Sequence, residues 1–366
     1  ASDNTIIEYN QFNLQADQSV NFVLRGPDAR VLNRILSNTP SSINGQITAN
    51  GTIYFTNKAG IIFGPDAIIN AGEFYAVAGS LSNENFLSGL DHFTDIEGEV
   101  INKGLIEAEK IHLLGQKVSN FGDLVSENGE VTMLVGDDIV VGHPLDNVNI
   151  KITPKENAAA NNKPKQEINN AGNIDASQGK VIFGAGDMAA VAVHNTGKIK
   201  ARSINIDAGK EGSAEIQGEL NAANEKAQQK GGKIEITAKD IILKEAAIDA
   251  SGDNGGGIIH IGGNEKGQGP LKNAQTTTVD SKTTIKADAM QSGHGGRIII
   301  WSDSATWFTG TVSSKGGQSG GDGGFAEISG KRLHAKGSVD LSAPLGKTGT
   351  LLYDPVNIQI VGGTAD

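Results

Sequence analysis

Residues 248–261 read IDASGDNGGGIIHI: a short apolar strand ends in a small residue, a polar loop follows, and paired glycines precede a second apolar strand. The same order recurs in residues 220–236 (LNAANEKAQQKGGKIEI), 285–301 (IKADAMQSGHGGRIIIW) and 312–328 (VSSKGGQSGGDGGFAEI). Repetition at this spacing is typical of solenoids, in which each unit packs only on its neighbours. We therefore expect one repeated architecture rather than two unlike domains.

A second repeat, Asn-x-Gly followed by alternating apolar residues, occupies the first half of the chain. The copies that begin at Asn102 and Asn120 are 18 residues apart, and those that begin at Asn170 and Asn195 are 25 residues apart. This is roughly the length of one solenoid coil. Stacked strands of this kind bury every second side chain. The sequence thus predicts an all-β fold, a right-handed parallel β-helix, with asparagines that can form ladders at its corners.

The composition of the 366 residues limits the partners and the class of protein. Hydrophobic residues at 37% and 49 glycines indicate a turn-rich β protein. A net charge of −11 argues against a nucleic-acid or anionic-membrane surface. The sequence contains no apolar run of about 18 residues, so it predicts no membrane-spanning helix. Cysteine is absent, so disulfides and thiolate metal sites are excluded. This absence also suits a Gram-negative protein exported through the oxidising periplasm.

Changes in pattern along the chain predict its organisation. We expect an N-terminal β cap in residues 1–30 and the first coils in residues 31–143. The proline-containing, Ala/Asn/Lys-rich segment 144–167 predicts an excursion from the coil, such as a small hairpin. The remaining coils should occupy residues 168–366, with a loop excursion at 262–280.

The sequence offers few residues for catalysis or metal binding. Its seven histidines never occur three or four residues apart, so a helical metal-ligand pair is not indicated. Five aspartates could form the carboxylate set of a carbohydrate-active β-helix, although we favour a role in turns: Asp137, Asp138, Asp249, Asp253 and Asp288. Trp301 and Trp307 fit either a sugar-stacking platform or aromatic cover beneath a loop. We expect no catalysis and no cofactor.

The densest apolar region carries a resemblance to a known family. Residues 33–72 read NRILSNTPSSINGQITANGTIYFTNKAGIIFGPDAIINAG, and residues 80–89 read SLSNENFLSG. This order resembles the secretion domain of two-partner secretion exoproteins of the filamentous-haemagglutinin type. Downstream, GGRIIIWSD, GGFAEISG and the closing LLYDPVNIQI resemble the pro-piece of the high-molecular-weight adhesin branch. The resemblance covers essentially the whole chain.

The family's hallmark motif, Asn-Pro-Asn-Gly-Ile, aligns on residues 57–61. Asn57, Gly60 and Ile61 match it, whereas Lys58 replaces the proline and Ala59 replaces the second asparagine. In the family this motif is a turn that export requires. The resemblance therefore implies a transporter-recognition segment, for which the candidate residues are Asn33, Arg34, Asn57, Lys58, Ala59, Gly60, Ile61 and Asn70.

The resemblance also implies how the protein works. The chain would be a secretion-targeting and fold-nucleating domain that the POTRA domains of an outer-membrane β-barrel transporter recognise in the periplasm by strand addition. It would act as a monomer and end at the cell surface or in the medium. Contacts with host glycans or proteins would belong to the full-length exoprotein. The alternatives are a β-helical module that itself binds glycans or host proteins, and a carbohydrate-active enzyme.

Overall fold

The computed structural model describes residues 3–142, 150–153, 166–184 and 192–356. The chain divides into two compact units, Ala1–Ala222 and Ala223–Asp366. Each unit is built almost wholly from short strands that hydrogen-bond in parallel to the strand of the next coil. Because each coil repeats the same sequence pattern, equivalent residues lie directly above one another.

The strands of the first unit are named in chain order. They are β1 (Asn4–Tyr9), β2 (Ser19–Phe22), β3 (Arg30–Ile35), β4 (Ser41–Ile43), β5 (Gln46–Ala49), β6 (Thr52–Thr56), β7 (Ile61–Phe63), β8 (Ile68–Val77), β9 (Ser80–Leu81), β10 (Asp91–Thr94), β11 (Glu99–Asn102), β12 (Leu105–Gly115), β13 (Lys117–Asn120), β14 (Asp123–Val125), β15 (Glu130–Val135), β16 (Asp138–Val141), β17 (Lys151–Thr153), β18 (Glu167–Asn170), β19 (Asn173–Gly184), β20 (Ala192–Asn195), β21 (Lys198–Asp207), β22 (Ser213–Ile216) and β23 (Glu219–Asn221).

These strands form three parallel stacks, here called faces. The first face contains β1, β3, β6 and β15 and the second halves of β8, β12, β19 and β21. The second face contains β4, β7, β11, β13, β18, β20 and β22. The third face contains β2, β5, β14 and β23 and the first halves of the four long strands.

The interior of the first unit consists of ladders of apolar side chains. One ladder on the first face follows the strand register, and each of its members is at most 1% exposed: Val31, Ile53, Phe74, Ile111, Val131, Val181 and Ile204. Burying one such side chain stabilises the fold by about 1.5–3 kcal/mol. The ladders therefore hold the coils together without disulfides.

A small antiparallel sheet covers the outside of the first face. It consists of β9, β10, β16 and β17, together with the helix α1 (Asn83–Ser88), and is called the antiparallel cover below. Between the cover and the coil lies a second hydrophobic core, to which the coil contributes Leu32, Tyr54 and Tyr75 and the cover contributes Phe86 and Phe93. This part of the coil thus has apolar side chains on both sides of its sheet.

The second unit has the same three-stack arrangement. Its strands are β24 (Lys233–Thr237), β25 (Asp240–Leu243), β26 (Ala247–Asp249), β27 (Gly252–Asn254), β28 (Ile258–Ile261), β29 (Thr276–Val279), β30 (Thr284–Lys286), β31 (Ala289–Ser292), β32 (Arg297–Ile300), β33 (Ala305–Phe308), β34 (Thr311–Ser313), β35 (Phe325–Ile328), β36 (Arg332–Ala335), β37 (Ser338–Asp340) and β38 (Thr350–Leu352). The stacks are β24–β28–β32–β35–β38, β25–β29–β33–β36 and β26–β30–β34–β37. Strands β27 and β31 pair with each other at a corner.

The all-β, parallel β-helical fold predicted from the repeats is confirmed. In the predicted excursion 144–167, the described residues include β17, which pairs antiparallel with β16; residues 144–149 and 154–165 lie outside the described residues. The loop that begins at Gly262 contains a short 3-10 helix, Glu265–Gly267, and the chain rejoins the coil at β29.

Candidate functional site

The hallmark motif forms a tight turn between the first and second faces. The backbone N–H of Gly60 donates to the carbonyl oxygen of Asn57 at 2.9 Å, which closes a four-residue turn. The side-chain oxygen Oδ1 of Asn57 accepts the N–H of Ala59 at 3.0 Å. The backbone N–H of Asn57 donates to the carbonyl oxygen of Val77 in the next coil at 3.0 Å. The local geometry is therefore an asparagine-capped turn, as this residue type favours.

The side-chain amide of Asn57 joins this turn to the preceding coil. Asn57 is fully buried, and its Nδ2 donates to the carbonyl oxygen of Thr39 at 3.1 Å and to Oγ of Ser41 at 3.0 Å. Ile61 follows the turn, is fully buried, and pairs with Ser41 on one side and Val100 on the other. One asparagine thus satisfies polar groups from two successive coils.

Gly60 is the residue of the turn that geometry constrains most. Its φ of +118° lies in a region that residues with a side chain rarely adopt. A Cβ at this position would lie 2.8 Å from the carbonyl oxygen of Glu99 in the next coil. Gly98 packs on the same turn, since a Cβ there would lie 2.6 Å from the carbonyl oxygen of Lys58. The next coil therefore stacks closely on the hallmark turn.

The two positions that depart from the family motif are the more exposed ones. Lys58 is exposed, and its Nζ lies 2.9 Å from Oδ2 of Asp95 in the next coil. Ala59 is half-buried. Asp95 has a φ of +50°, so its backbone turns sharply at the point where the lysine reaches it. The substitutions thus leave the buried part of the motif unchanged.

Asn33 lies inside the coil on β3. It is fully buried, and its side chain accepts a hydrogen bond from the Tyr9 hydroxyl and donates one to the carbonyl oxygen of Tyr54, both at 3.2 Å. These partners belong to β1 and β6, the strands on either side of β3. Asn33 therefore bridges three coils at the N-terminal end of the first unit.

Arg34 points to the other side of β3 and binds the antiparallel cover. Its guanidinium donates to the carbonyl oxygen of Leu81 at 2.9 Å and to Oδ1 of Asn83 at 2.6 Å. It also forms an ion pair with Glu8 at 2.7 Å. The predicted site residue Arg34 thus connects the first coil with the start of α1.

The helix α1 and its arginine contact were not found from the sequence. Ser82 caps the helix by accepting the N–H of Asn85 at 3.1 Å, and Gly89 ends it with a φ of 80°. Arg30 on β3 holds the helix against the coil. Its guanidinium donates to the carbonyl oxygen of Phe86 at 2.7 Å and lies 5.0 Å from the centre of the Phe86 ring. The serine and glycine caps at this spacing are a local signal that could have revealed α1.

The candidate residues do not form a single cluster. Arg34 pairs in register with Thr56, the residue before Asn57, so the Asn33–Arg34 and Asn57–Ile61 segments occupy neighbouring coils. Asn70 is exposed and lies on the third face, in register with Thr48 and Glu107. The structure therefore brings two of the predicted segments near each other and places Asn70 on a different face.

A buried polar cluster beneath the antiparallel cover was also missed. Asp91, 2% exposed, accepts the Tyr54 hydroxyl at 3.0 Å and the Tyr75 hydroxyl at 2.9 Å. The rings of Tyr54 and Tyr75 stack with their centres 4.3 Å apart, and the ring of His112 stacks on that of Tyr75 with the centres 4.4 Å apart. Nε2 of His112 lies 3.3 Å from Oε1 of Glu73. These residues are far apart in sequence, so no local sequence motif predicts that they form a cluster.

Burial and charge shift the pKa values of this cluster. Burial raises the pKa of Tyr54 and Tyr75 well above the ordinary value, and neighbouring carboxylates raise it further. Burial would also raise the pKa of Glu73, but hydrogen bonding with His112 and the charges of His112 and Lys110 lower it to about 2. Glu73 is therefore a carboxylate held in its ionised form.

The asparagines of the Asn-x-Gly repeat form the predicted ladder. The Nδ2 groups of Asn102, Asn120 and Asn170 each donate to Oδ1 of the asparagine in the next coil, at 2.8, 2.8 and 2.7 Å. All the members are fully buried: Asn102, Asn120, Asn170 and Asn195. The prediction of corner asparagine ladders is confirmed here.

The five aspartates considered for catalysis each accept hydrogen bonds from side chains or backbone nearby in the fold. Asp137 accepts from a glutamine side chain, Asp138 from a histidine, and Asp249, Asp253 and Asp288 from backbone N–H groups of turns. Among the residues that the structure describes, no three His, Asp or Glu side chains form a group that could hold a metal ion. This arrangement supports their interpretation as structural residues.

The two tryptophans have different surroundings. The indole N–H of Trp301 donates to Oδ1 of Asp303 at 2.9 Å, and its ring lies against Gly267 of the loop that begins at Gly262. Trp307 lies on β33 of the second unit and is 45% exposed. Trp301 thus fits the prediction of aromatic cover beneath a loop, whereas Trp307 lies open.

A family model described as the TPS secretion domain matches residues 1–236, which include the hallmark turn, the antiparallel cover and the asparagine ladder. The chain belongs to the TPS secretion domain family. This TPS secretion domain is similar to the HMW1 secretion domain from Haemophilus influenzae, known from a crystal structure, with 31% sequence identity and a TM-score of 0.80. The match covers 97% of this chain and 96% of that one.

Curated relatives are longer proteins. Two heme/hemopexin-binding proteins, both from Haemophilus influenzae, are 30% identical over 184 residues and 29% identical over 106 residues. These regions make up 46% and 28% of this chain but only 20% and 11% of the relatives. The TPS secretion domain thus corresponds to a small part of each relative.

Family membership sets the general role. A TPS secretion domain belongs to an exoprotein that is exported with an outer-membrane transporter as its partner, and the family is not an enzyme family. Across residues 3–142, 150–153, 166–184 and 192–356, no helix is long and apolar enough to cross a membrane.

Proposed function

We propose that the chain is the secretion-targeting and fold-nucleating domain of a two-partner secretion exoprotein, recognised in the periplasm by the POTRA domains of its transporter. Recognition takes place while the chain is extended, by addition of a strand to a POTRA sheet edge. The coil then forms at the cell surface. Adhesion, the role that the resemblance suggests for the whole exoprotein, would belong to the parts exported behind this domain.

The observation that carries this proposal is the construction of the hallmark turn. Asn57 and Gly60 are the buried, geometrically constrained residues, and both match the family motif, whereas the substituted Lys58 and Ala59 are more exposed. A sequence that diverges only at the two less buried positions keeps the turn that the family needs for export.

Fold nucleation is supported by the way in which the first coils are joined. Asn33 bonds to strands on both sides, Arg34 joins the first coil to the antiparallel cover, and Asn57 bonds to the preceding corner. In a solenoid, where each coil contacts only its neighbours, such a cross-linked end is the natural template for later coils.

The experiment that tests this proposal is export of the chain, fused to a signal peptide, in cells with and without the cognate transporter. We expect the protein to reach the medium or cell surface only when the transporter is present. Protein that stays periplasmic with the transporter, or is exported without it, would refute the proposal. A transporter that lacks its POTRA domains separates POTRA recognition from the general need for a barrel.

Gly60→Val tests the role of the turn, and Gly26→Val is the matched control. A Cβ at Gly26 would meet no atom within 4 Å, so this variant makes the same chemical change at an open position. We expect Gly60→Val to abolish export and Gly26→Val to retain it. Equal export of the two variants would show that export does not require this turn.

A further inference from the structure

The buried polar cluster beneath the antiparallel cover has more carboxylate contacts than its tyrosine hydroxyls have protons. The Tyr54 hydroxyl lies 3.0 Å from Oδ1 of Asp91. The Tyr75 hydroxyl lies 2.9 Å from Oδ2 of Asp91 and also 2.9 Å from Oε1 of Glu73. Burial raises the pKa of both tyrosines well above the ordinary value, so each phenol keeps its single proton. Two hydroxyl protons are thus available for three short contacts between oxygen atoms.

The third contact needs a proton from one of the two carboxyl groups. If both were ionised, the Tyr75 oxygen would face a carboxylate oxygen at 2.9 Å with no proton between them. Two acceptors pressed together in a buried site are costly. A further donor to Asp91 would not change this count, because the Tyr75 oxygen would still face one carboxylate without a proton. Either Asp91 or Glu73 is therefore protonated.

The charges around the cluster place this proton on Asp91. Nε2 of His112 and Nζ of Lys110 lie 3.3 and 3.4 Å from Oε1 of Glu73. Burial alone would raise the pKa of Glu73, but these contacts outweigh it and lower the pKa to about 2. Ionised Glu73 accepts the Tyr75 proton, and Oδ2 of Asp91 then donates its own proton to the Tyr75 oxygen. In this arrangement every contact in the cluster is a hydrogen bond.

The other ionisable groups on the strands and helix around Asp91 have partners of their own or are exposed. The charge of Arg30 acts on Tyr54, and its guanidinium donates to the carbonyl oxygen of Phe86 at 2.7 Å. His92, the next residue on β10, lies 2.9 Å from Oδ1 of Asp138. The full set consists of Arg30 and Arg34 on β3, His92 on β10, Glu84 on α1, Asp138 on β16 and Lys151 on β17.

The proton of Asp91 lies at the contact between the cover and the coil. Asp91 belongs to β10 of the cover and is 2% exposed, whereas Tyr54 and Tyr75 belong to β6 and β8 of the coil. When the cover separates from the coil, Asp91 enters water, where an aspartate has a pKa of about 3.9 and is ionised at neutral pH. Opening of the cover therefore releases a proton, and closing takes one up.

We infer that Asp91 is protonated while the antiparallel cover lies on the coil, and that the cover is therefore a pH-sensitive latch that opens more readily as the pH rises. The stabilising effect of this proton is fully present below the pH at which free aspartate ionises. Above about pH 4, the equilibrium constant for opening rises about tenfold for each pH unit, up to the pH at which Asp91 ionises in place. The inference concerns closure of the cover and is independent of the proposed recognition by a transporter.

Infrared difference spectroscopy of the purified 366-residue chain tests the protonation state. At about pH 6 solvated carboxyl groups are ionised, and a protonated carboxyl group has a carbonyl stretch that carboxylates lack. Labelling the side-chain carboxyl groups of aspartate with carbon-13 shifts this band for aspartate but not for glutamate. We expect a band that the label shifts and that Asp91→Asn removes. Absence of a label-sensitive band, or its persistence in Asp91→Asn, would overturn the inference.

Thiol labelling measures how often the cover opens. The chain has no cysteine, so Ile139→Cys places a single probe in the core between the cover and the coil, where Ile139 is fully buried. The opening constant follows from the labelling rate, corrected for the thiolate fraction at each pH. Asparagine offers one acceptor and a donor, as protonated aspartate does, so we expect Asp91→Asn to retain the closed cover.

The pH dependence of opening separates a latch from simple packing. Between about pH 5 and about pH 6, we expect the opening constant to rise about tenfold more in the protein that retains Asp91 than in Asp91→Asn. Glu73 does not disturb this range, because its pKa values of about 2 when closed and 4.5 when free both lie below it. Asp66→Asn, at an exposed position after β7, is the matched control and should behave like the protein that retains Asp91. Equal pH dependence in Asp91→Asn and Asp66→Asn would overturn the inference.

Discussion

Lys58 reaches from the hallmark turn to Asp95 in the next coil, with Nζ 2.9 Å from Oδ2. The family motif has proline at this position, and proline favours a turn by fixing its own φ near −65°. Here a lysine makes a contact between coils instead. The pair is about half exposed, since Lys58 is 49% and Asp95 42% accessible. Ion pairs of this exposure contribute little to stability.

Restoring the family residues at this turn should be tolerated. Lys58 is the second residue of a four-residue turn, where proline is favoured, so we expect Lys58→Pro with Ala59→Asn to retain export. The double variant should lose the ion pair with Asp95, which is worth at most about 1 kcal/mol. Export assays and urea unfolding measure the two effects. Loss of export in a variant that still folds would show that Lys58 or Ala59 is itself recognised.

Loss of the Asn57 side chain should markedly lower the stability of the fold. In Asn57→Ala, the carbonyl oxygen of Thr39 and the hydroxyl of Ser41 lose a buried donor, and the N–H of Ala59 loses its acceptor. We expect the free energy of unfolding to fall by roughly 2–4 kcal/mol, since each buried unsatisfied group costs about 1–3 kcal/mol. The measurement is urea unfolding followed by circular dichroism. Asn70→Ala, at an exposed position, is the control and should change stability by less than about 0.5 kcal/mol.

The coil itself could be predicted because its signals are local. Alternating apolar residues set the strand faces, and the glycine of each Asn-x-Gly corner lets neighbouring coils approach closely, since a Cβ at Gly122 would lie 2.1 Å from the carbonyl oxygen of Gly104. The contact from Asn102 to Asn120 could be anticipated for the same reason, because equal repeats place equal residues in register. In these respects one coil predicts the next.

The antiparallel cover and the polar cluster beneath it could not be predicted in this way. Tyr54 and Asp91 are 37 positions apart, and His112 and Glu73 are 39 positions apart. Their contacts depend on the path of the chain after it leaves the coil, which no repeat encodes. Burial of Asp91 is equally hidden, because the sequence presents it as one more acidic residue beside a turn. The short helix α1 is a different case, since its caps are local and were overlooked.

Substitution of an asparagine in the middle of the asparagine ladder should lower the stability of the fold most. Asn120 both accepts from Asn102 and donates to Asn170, so Asn120→Ala breaks two buried hydrogen bonds between coils. We expect a loss of about 2–4 kcal/mol, because groups on both neighbours are left unsatisfied. Thermal unfolding monitored by circular dichroism would measure this loss. A shift in melting temperature no larger than that of an exposed substitution such as Asn70→Ala would contradict the prediction.

Glu73 should make the stability of the first unit depend on acid pH. Its pKa in the folded state is about 2, below the ordinary value of 4.5, so ionised Glu73 stabilises the fold above about pH 4.5. This contribution is lost as the pH falls from there towards 2. At neutral pH we expect Glu73→Gln to be less stable than the wild type, and the difference between the two proteins to shrink between about pH 5 and about pH 2. The measurement is urea unfolding at several pH values in that range, with Glu107→Gln, an exposed position on the third face, as the control. A difference between wild type and Glu73→Gln that stays constant with pH would mean that His112 and Lys110 do not stabilise the carboxylate, and that the cluster serves only as packing beneath the antiparallel cover.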